Sequence, residues 1–169
     1  MPFRNIIQPK IIEINNNLRL RVLSEEQWKV ALKWYQNTKV LYYSEGIQNG
    51  KVYNMDIIKG MYKYLNSIGE LYFIEIYEYN KWISIGDVTL SEKNMPIVIG
   101  NEKYWGKKIG SMVIDILINR AKILGLREIY IPEIYNYNNR SKKLFKSFGF
   151  IEVENNDSEK SKSYVLPLS

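Results

Sequence analysis

Neither cysteine nor histidine occurs among the 169 residues. Without cysteine the chain has no disulfide, no thiolate metal site and no sulfur nucleophile for a covalent acyl-enzyme. Without histidine it lacks the commonest general base and the commonest zinc ligand, so no metal is expected. Acid–base chemistry is left to carboxylates, tyrosines, lysines and backbone groups. No apolar run approaches the roughly 18 residues of a membrane span, and no signal-peptide core stands at the N-terminus. A cytoplasmic location with no membrane partner is the expectation.

What is present is ordinary in amount and biased in sign. The length suits one domain, 1–169, and 46% hydrophobic with 25% charged residues is a globular composition. The net charge of +6 suits a polyanionic partner, whether nucleic acid, ribosome or a phosphate-rich cofactor, and suits plain solubility equally well.

Leu18–Val22 alternates as a strand. Ser24 and Gln27 form a capping box, opening a helix that buries Trp28, Ala31, Leu32 and Tyr35. Lys39–Asn54 has no clean period and reads as loop. A second helix sets Ile57, Met61, Tyr64, Leu65 and Ile68 on one face, with Gly69 as a left-handed stop. Leu71–Glu78 and Trp82–Leu90 alternate around "YNK" as a hairpin. Met95–Ile99 is a short apolar strand. A long helix follows, with Ile109, Met112, Val113, Ile116, Leu117 and Leu124 inward and Gly125 at its end. Arg127–Tyr135 is a strand, and Asn138 or Asn139 caps a short helix bearing Leu144, Phe145 and Phe148, stopped by Gly149. The polar tract Asn155–Ser163 reads as loop between strands Phe150–Glu154 and Tyr164–Leu166. The order predicts a mixed α/β sheet with helices on both faces.

The stretch "NEKYWGKKIGSM" (Asn101–Met112) joins a strand to the long helix. The first N–H groups of that helix have no internal acceptor and lie at the positive end of its dipole. Gly106 and Gly110 let the backbone approach a ligand, and Lys107 and Lys108 add charge. The segment reads as a phosphate cradle. It is neither a nucleotide P-loop nor the dinucleotide fingerprint, since both glycine spacings are wrong.

The run "PIVIGNEKYWGKKIGSMVIDILINRAKILG", followed by "EIYNYNNRSKKLFKSFGF", resembles the GNAT superfamily of acetyl-CoA-dependent N-acetyltransferases. The resemblance implies a mostly antiparallel sheet whose central strands splay apart. It implies acetyl-CoA as co-substrate, bound by Gly106, Lys107, Lys108, Ile109, Gly110 and Ser111, and by Asn138 and Ser141 of the later Asn-x-x-Ser helix start. Amides of Val98, Ile99 and Gly100 would face the acetyl group. Trp105 stands where the family most often has Arg or Gln, and a branch of the family shares "WGK". Lys108 replaces the middle glycine, which predicts a negative φ there.

With no acyl-enzyme available, an amine attacks the thioester directly. The candidate bases are Glu133, where one branch places its glutamate, and Asp87 in "IGDVTL", where an apolar strand could raise a carboxylate's pKa. That branch's tyrosine acid falls at Phe145, which cannot donate, and leaves Tyr135 or Tyr137 as stand-ins. Lys142 and Lys143, against the dipole of the last helix, could face phosphates. Tyr42, Tyr43 and Glu45 could frame a cationic amine. The expected acceptor is a small-molecule or peptide amine (peptide N-terminus, polyamine, amino acid or aminoglycoside), and a homodimer remains open. Two other readings stand beside this one. One is a non-catalytic acyl-CoA-binding or sensory module on the same fold, and the other is a basic ribosome- or nucleic-acid-associated protein.

Overall fold

Alternation of apolar and polar residues builds the first sheet. In the computed structural model, which describes residue 3 and residues 5–154 and 158–168, strands β1 (Ile11–Asn15), β2 (Leu18–Arg21), β3 (Gly69–Glu78), β4 (Lys81–Ser91) and β5 (Ile97–Ile99) lie in sequence order, each antiparallel to the next. Along β3, Tyr72 and Ile74 enter one core while Leu71 and Phe73 enter another on the opposite face. The β3–β4 turn is carried by Tyr79 and Asn80, both at positive φ, as a two-residue hairpin of this twist requires. A second antiparallel sheet has the order β6 (Glu128–Tyr135), β8 (Ser161–Pro167), β7 (Ile151–Val153). No ladder joins β5 to β6.

Helices cover the first sheet on both faces. A 3-10 segment, Glu25–Ala31, continues into α1 (Leu32–Tyr35) and is followed by α2 (Thr38–Glu45) and α3 (Met55–Ile68). Their buried residues meet Leu71 and Phe73. Ser24 N–H donates to Gln27 Oε1 at 2.9 Å, so the capping box forms. On the other face α4 (Ile109–Ile123) and α5 (Asn139–Ser147) pack with Tyr72, Ile74, Val88 and the inner residues of β6.

Several sequence expectations are corrected. Residues 39–45 of the segment read as loop are helical, within α2; Asn37 caps that helix by accepting from Lys39 N–H, and Gly46 ends it at φ 69°. Gly69 is no left-handed stop: its φ of −160° begins β3 directly, where a Cβ would run into Leu90 O. The inner face of α3 is Ile58, Tyr62 and Leu65, with Ile57 and Tyr64 exposed. Strand β1 was not anticipated, and Ser161–Ser163 of the expected polar loop belong to β8. Positions 155–157 of that loop lie outside the described residues.

Under α4, Glu70 is 1% exposed and accepts two bonds from Arg120, at 2.8 and 2.7 Å, and one from Tyr72 OH at 2.8 Å. Removing one partner of a buried ion pair strands the other charge. Arg120→Ala should therefore cost about 3–4 kcal/mol of stability, measured as a lowered urea midpoint.

Candidate active site

The cradle is built where β5 hands the chain to α4. Gly106 (φ 73°) and Lys108 (φ 64°) are both left-handed. Such residues turn neighbouring N–H groups into one concavity. The expected negative φ at Lys108 is thus wrong: the turn needs a left-handed residue at the helix N-cap, and lysine adopts it at a cost of about 1 kcal/mol. No side chain caps α4, and the first intrahelical donor is Met112 N–H to Lys108 O, so the amides of Ile109, Gly110 and Ser111 precede every internal bond. A Cβ at Gly106 would meet nothing within 4 Å, so the loop is open to a ligand. A Cβ at Gly110 would lie 3.1 Å from Leu144 Cδ2, so this glycine lets α5 approach α4. Lys107 and Lys108 are exposed beside the cradle. The donor set fits a pyrophosphate.

Of the three β5 amides, register singles out one. Gly100 N–H donates to Ile85 O at 2.8 Å and Thr89 N–H to Pro96 O at 3.1 Å. Bonded pairs alternate in an antiparallel ladder, so Asp87–Val98 is bonded between them and Gly86–Ile99 is not. Ile99 therefore directs its N–H and C=O away from β4, off the sheet edge. Its carbonyl accepts from Trp105 Nε1 at 2.7 Å.

The three candidate carboxylates converge on the side of the sheet that α2 covers. Asp87 faces the α1–α3 core because it pairs with Phe73 in β3. It accepts from Tyr35 OH at 2.7 Å and Tyr62 OH at 2.8 Å. Burial pushes its pKa up to about 6 against the opposing effect of those two bonds. Glu133 lies at the irregularity in the β6–β8 ladder, exposed, and accepts from Ser161 Oγ at 3.1 Å. Glu45 closes α2. Burial first, then the charges of Asp87 and Glu133, raise its pKa to about 7, while a hydrogen bond from Tyr53 lowers it. Tyr53 stacks on Tyr35 with centroids 5.7 Å apart and an interplanar angle of 8°. Sequence reasoning missed Tyr35, Tyr53 and Tyr62 as members of this network, and no local pattern marks them.

Aromatic rings form the adjoining wall. Tyr42 and Tyr137 stack at 4.2 Å, Tyr135 and Tyr137 at 5.6 Å, and Tyr43 meets Trp105 edge-on at 6.0 Å. Tyr137 OH donates to Tyr42 O and Tyr135 OH to Glu45 O at 3.1 Å. Both hydroxyls are thus engaged with backbone, and burial raises both pKa values. Phe145 is in the core, edge-on to Phe150 at 5.1 Å. Asn138 caps α5 by accepting from Ser141 N–H at 3.2 Å. Lys142 is half-buried and Lys143 exposed on the first turn of α5. A cleft of about 700 Å³ opens beside this wall, lined by Gly46–Asn49, Tyr135–Tyr137, Glu159 and Lys160. No group of three or more acidic side chains among the described residues is placed to hold a metal ion, and no helix there could cross a membrane.

Two antiparallel sheets edged by β5 and β6, with an uncapped helix start between those strands in the chain, make up the architecture. Residues 73–150 match the Acetyltransferase (GNAT) family, and the chain shares the fold of acetyltransferases of that family. Solved structures share the fold. A domain from Methanocaldococcus jannaschii superposes with a TM-score of 0.75 at 22% identity, covering 91% of this chain and 100% of that one. The microcin C7 self-immunity acetyltransferase MccE, in complex with acetyl-CoA and AMP, gives 0.72 at 15%, covering 95% and 98%. Spermidine N-acetyltransferase from Vibrio cholerae, with CoA and spermine, gives 0.71 at 19%, covering 90% and 96%. No curated protein sequence matches the chain.

Proposed function

We propose that the protein transfers the acetyl group of acetyl-CoA directly to a primary amine, with Glu45 taking the proton that the acceptor's ammonium gives up so that the neutral amine can attack. Bound acetyl-CoA supplies a thioester carbonyl open to attack. The amides of Gly106–Ser111 bind its pyrophosphate, aided by Lys107 and Lys108. Ile99 N–H, the β5 amide directed off the sheet, stabilises charge on the carbonyl oxygen, while Val98 and Gly100 hold β5 in register. Asn138 and Ser141 start the helix that borders the cofactor.

Placement of the carboxylates carries the assignment of the base. A base works best with a pKa near the operating pH; Glu45 has such a value and is half-buried next to Gly46 at the rim of the cleft, whereas Asp87 is buried beneath Tyr35 and Tyr62. Glu133 and Asp87 contribute through their fields: each is a negative charge that raises Glu45 toward neutrality. Tyr42 and Tyr43 offer ring faces to a cationic acceptor. A thiol has an ordinary pKa of about 8.5, so the leaving thiolate departs without a dedicated acid, consistent with Phe145 in the core.

Thiol release from acetyl-CoA with peptide N-termini, polyamines, amino acids and aminoglycosides tests the reading. Turnover with at least one class is expected, and Glu133→Gln should move the lower pH limit of that activity downward. Tight acetyl-CoA binding with no turnover for any amine would instead favour the non-catalytic acyl-CoA module.

A further inference from the structure

Helix α2 is eight residues long and ends without the usual internal partners for its last carbonyls. The Gly46 N–H reaches back to Leu41 O, which leaves the carbonyls of Tyr42, Tyr43 and Glu45 beyond the helix's own donors. Three side chains from one four-residue segment of another element supply what is missing. Tyr137 OH donates to Tyr42 O, Asn138 Nδ2 to Tyr43 O at 3.4 Å, and Tyr135 OH to Glu45 O at 3.1 Å. The Tyr137 ring also lies flat on Tyr42, 4.2 Å between centroids and 17° between planes. A Cβ at Gly46 would collide with the Tyr135 ring, so the turn out of α2 fits closely against the same segment.

That segment has a second duty. Asn138, which holds Tyr43 O, also caps α5 through Ser141 N–H. One stretch of chain therefore starts the helix on the cofactor side and fastens the helix that bears Glu45. Within it Tyr137 makes the closest ring contact and a hydrogen bond to the same residue.

We propose that Tyr137 is a positioning residue for acetyl transfer: through Tyr42 it fixes the last turn of α2, and so sets Glu45 against the parting between β5 and β6. The inference rests on the reading of Glu45 as the base. It assigns Tyr137 no contact with substrate. Its hydroxyl proton is already given to Tyr42 O, which is why it is no general acid. Loosening α2 would let water reach Glu45, and burial is the largest cause of that group's raised pKa. The effect of Tyr137 should therefore register in the pH dependence of the reaction, which a purely structural role would leave alone.

The test is Tyr137→Phe, which keeps the stacked ring and removes the hydroxyl, compared with Tyr137→Leu, which removes both. With the best amine of the panel, kcat/KM should fall about tenfold for Phe, the worth of one hydrogen bond to a carbonyl left otherwise unpaired, and further for Leu. The dissociation constant for acetyl-CoA should stay within about twofold, since no cradle contact is lost. The lower pH limit of kcat/KM should move toward the ordinary carboxylate range. An unchanged kcat/KM and an unchanged limit in Tyr137→Phe would overturn the proposal. So would a fall in kcat/KM matched by equal loss of acetyl-CoA affinity with no movement of the limit. Wild-type protein that binds acetyl-CoA yet acetylates no amine would remove the underlying reading, and this inference with it.

Discussion

Glu45→Gln should lower kcat/KM for the amine by about 10²- to 10³-fold at neutral pH, the usual worth of a positioned base. Acetyl-CoA affinity should be unchanged, because Glu45 makes no contact with the cradle residues Gly106–Ser111. The shape of the pH profile matters more than the size of the loss. In the wild type, activity should fall as pH drops below about 7, where Glu45 gains its proton. In the variant that limit should vanish. Retention of both rate and limit would remove Glu45 from the mechanism. The same group marks stability with a definite sign. Its folded pKa of about 7 exceeds the ordinary 4.5, so the folded chain holds a proton that the unfolded chain has released. Stability is then full below about pH 4.5 and falls by roughly 2 kcal/mol as pH rises through 7, allowing for partial solvent access. Asp87, raised from 3.8 to about 6, adds a loss in the same direction at lower pH. Glu45→Gln should flatten the upper part of this slope in urea titrations run across the range.

The second large effect belongs to the cradle. Gly106→Val should weaken acetyl-CoA binding by about 10- to 100-fold, as judged from the left-handed penalty of a β-branched residue. There is room for the side chain, since a Cβ there meets nothing within 4 Å. What valine cannot keep is the φ of 73°. Relaxing it would turn the following N–H groups out of the concavity. Gly106 is exposed, so melting temperature should move little while calorimetry reports the lost affinity. Full affinity in this variant would show that the amides of the loop do not hold the diphosphate.

These two sites differ in how far the linear sequence announced them. The shape of the loop was legible because all its parts are contiguous: glycine, two lysines and an apolar helix within a dozen residues. Two expectations within it failed: the sign of φ at Lys108, which came from a rule about lysine that the loop overrides, and the ligand-facing use of Gly110, which makes room for Leu144 of α5. The hairpin was legible through alternation about Tyr79 and Asn80. Helix α2 was not, although Asn37 and Gly46 do supply a cap and a stop. Its interior lacks a hydrophobic period, and its end is held by donors about ninety residues away. The same distance hid the proposed role of Glu45. Asp87 could be named from strand context and Glu133 from the resemblance, but the pairing of Tyr35 and Tyr62 with Asp87, and of Tyr53 with Glu45, joins elements that no window along the chain contains.

The lysine at 108 carries an implication of its own. Its backbone is already held in the shape a glycine would take at no cost, so the loop's own fold sustains that strain. The loop consequently need not rearrange to greet an anion, and little of the attraction between amide and phosphate is lost to folding the receptor around it. A preformed grip of this kind gains affinity because no ordering of the loop has to be offset on binding.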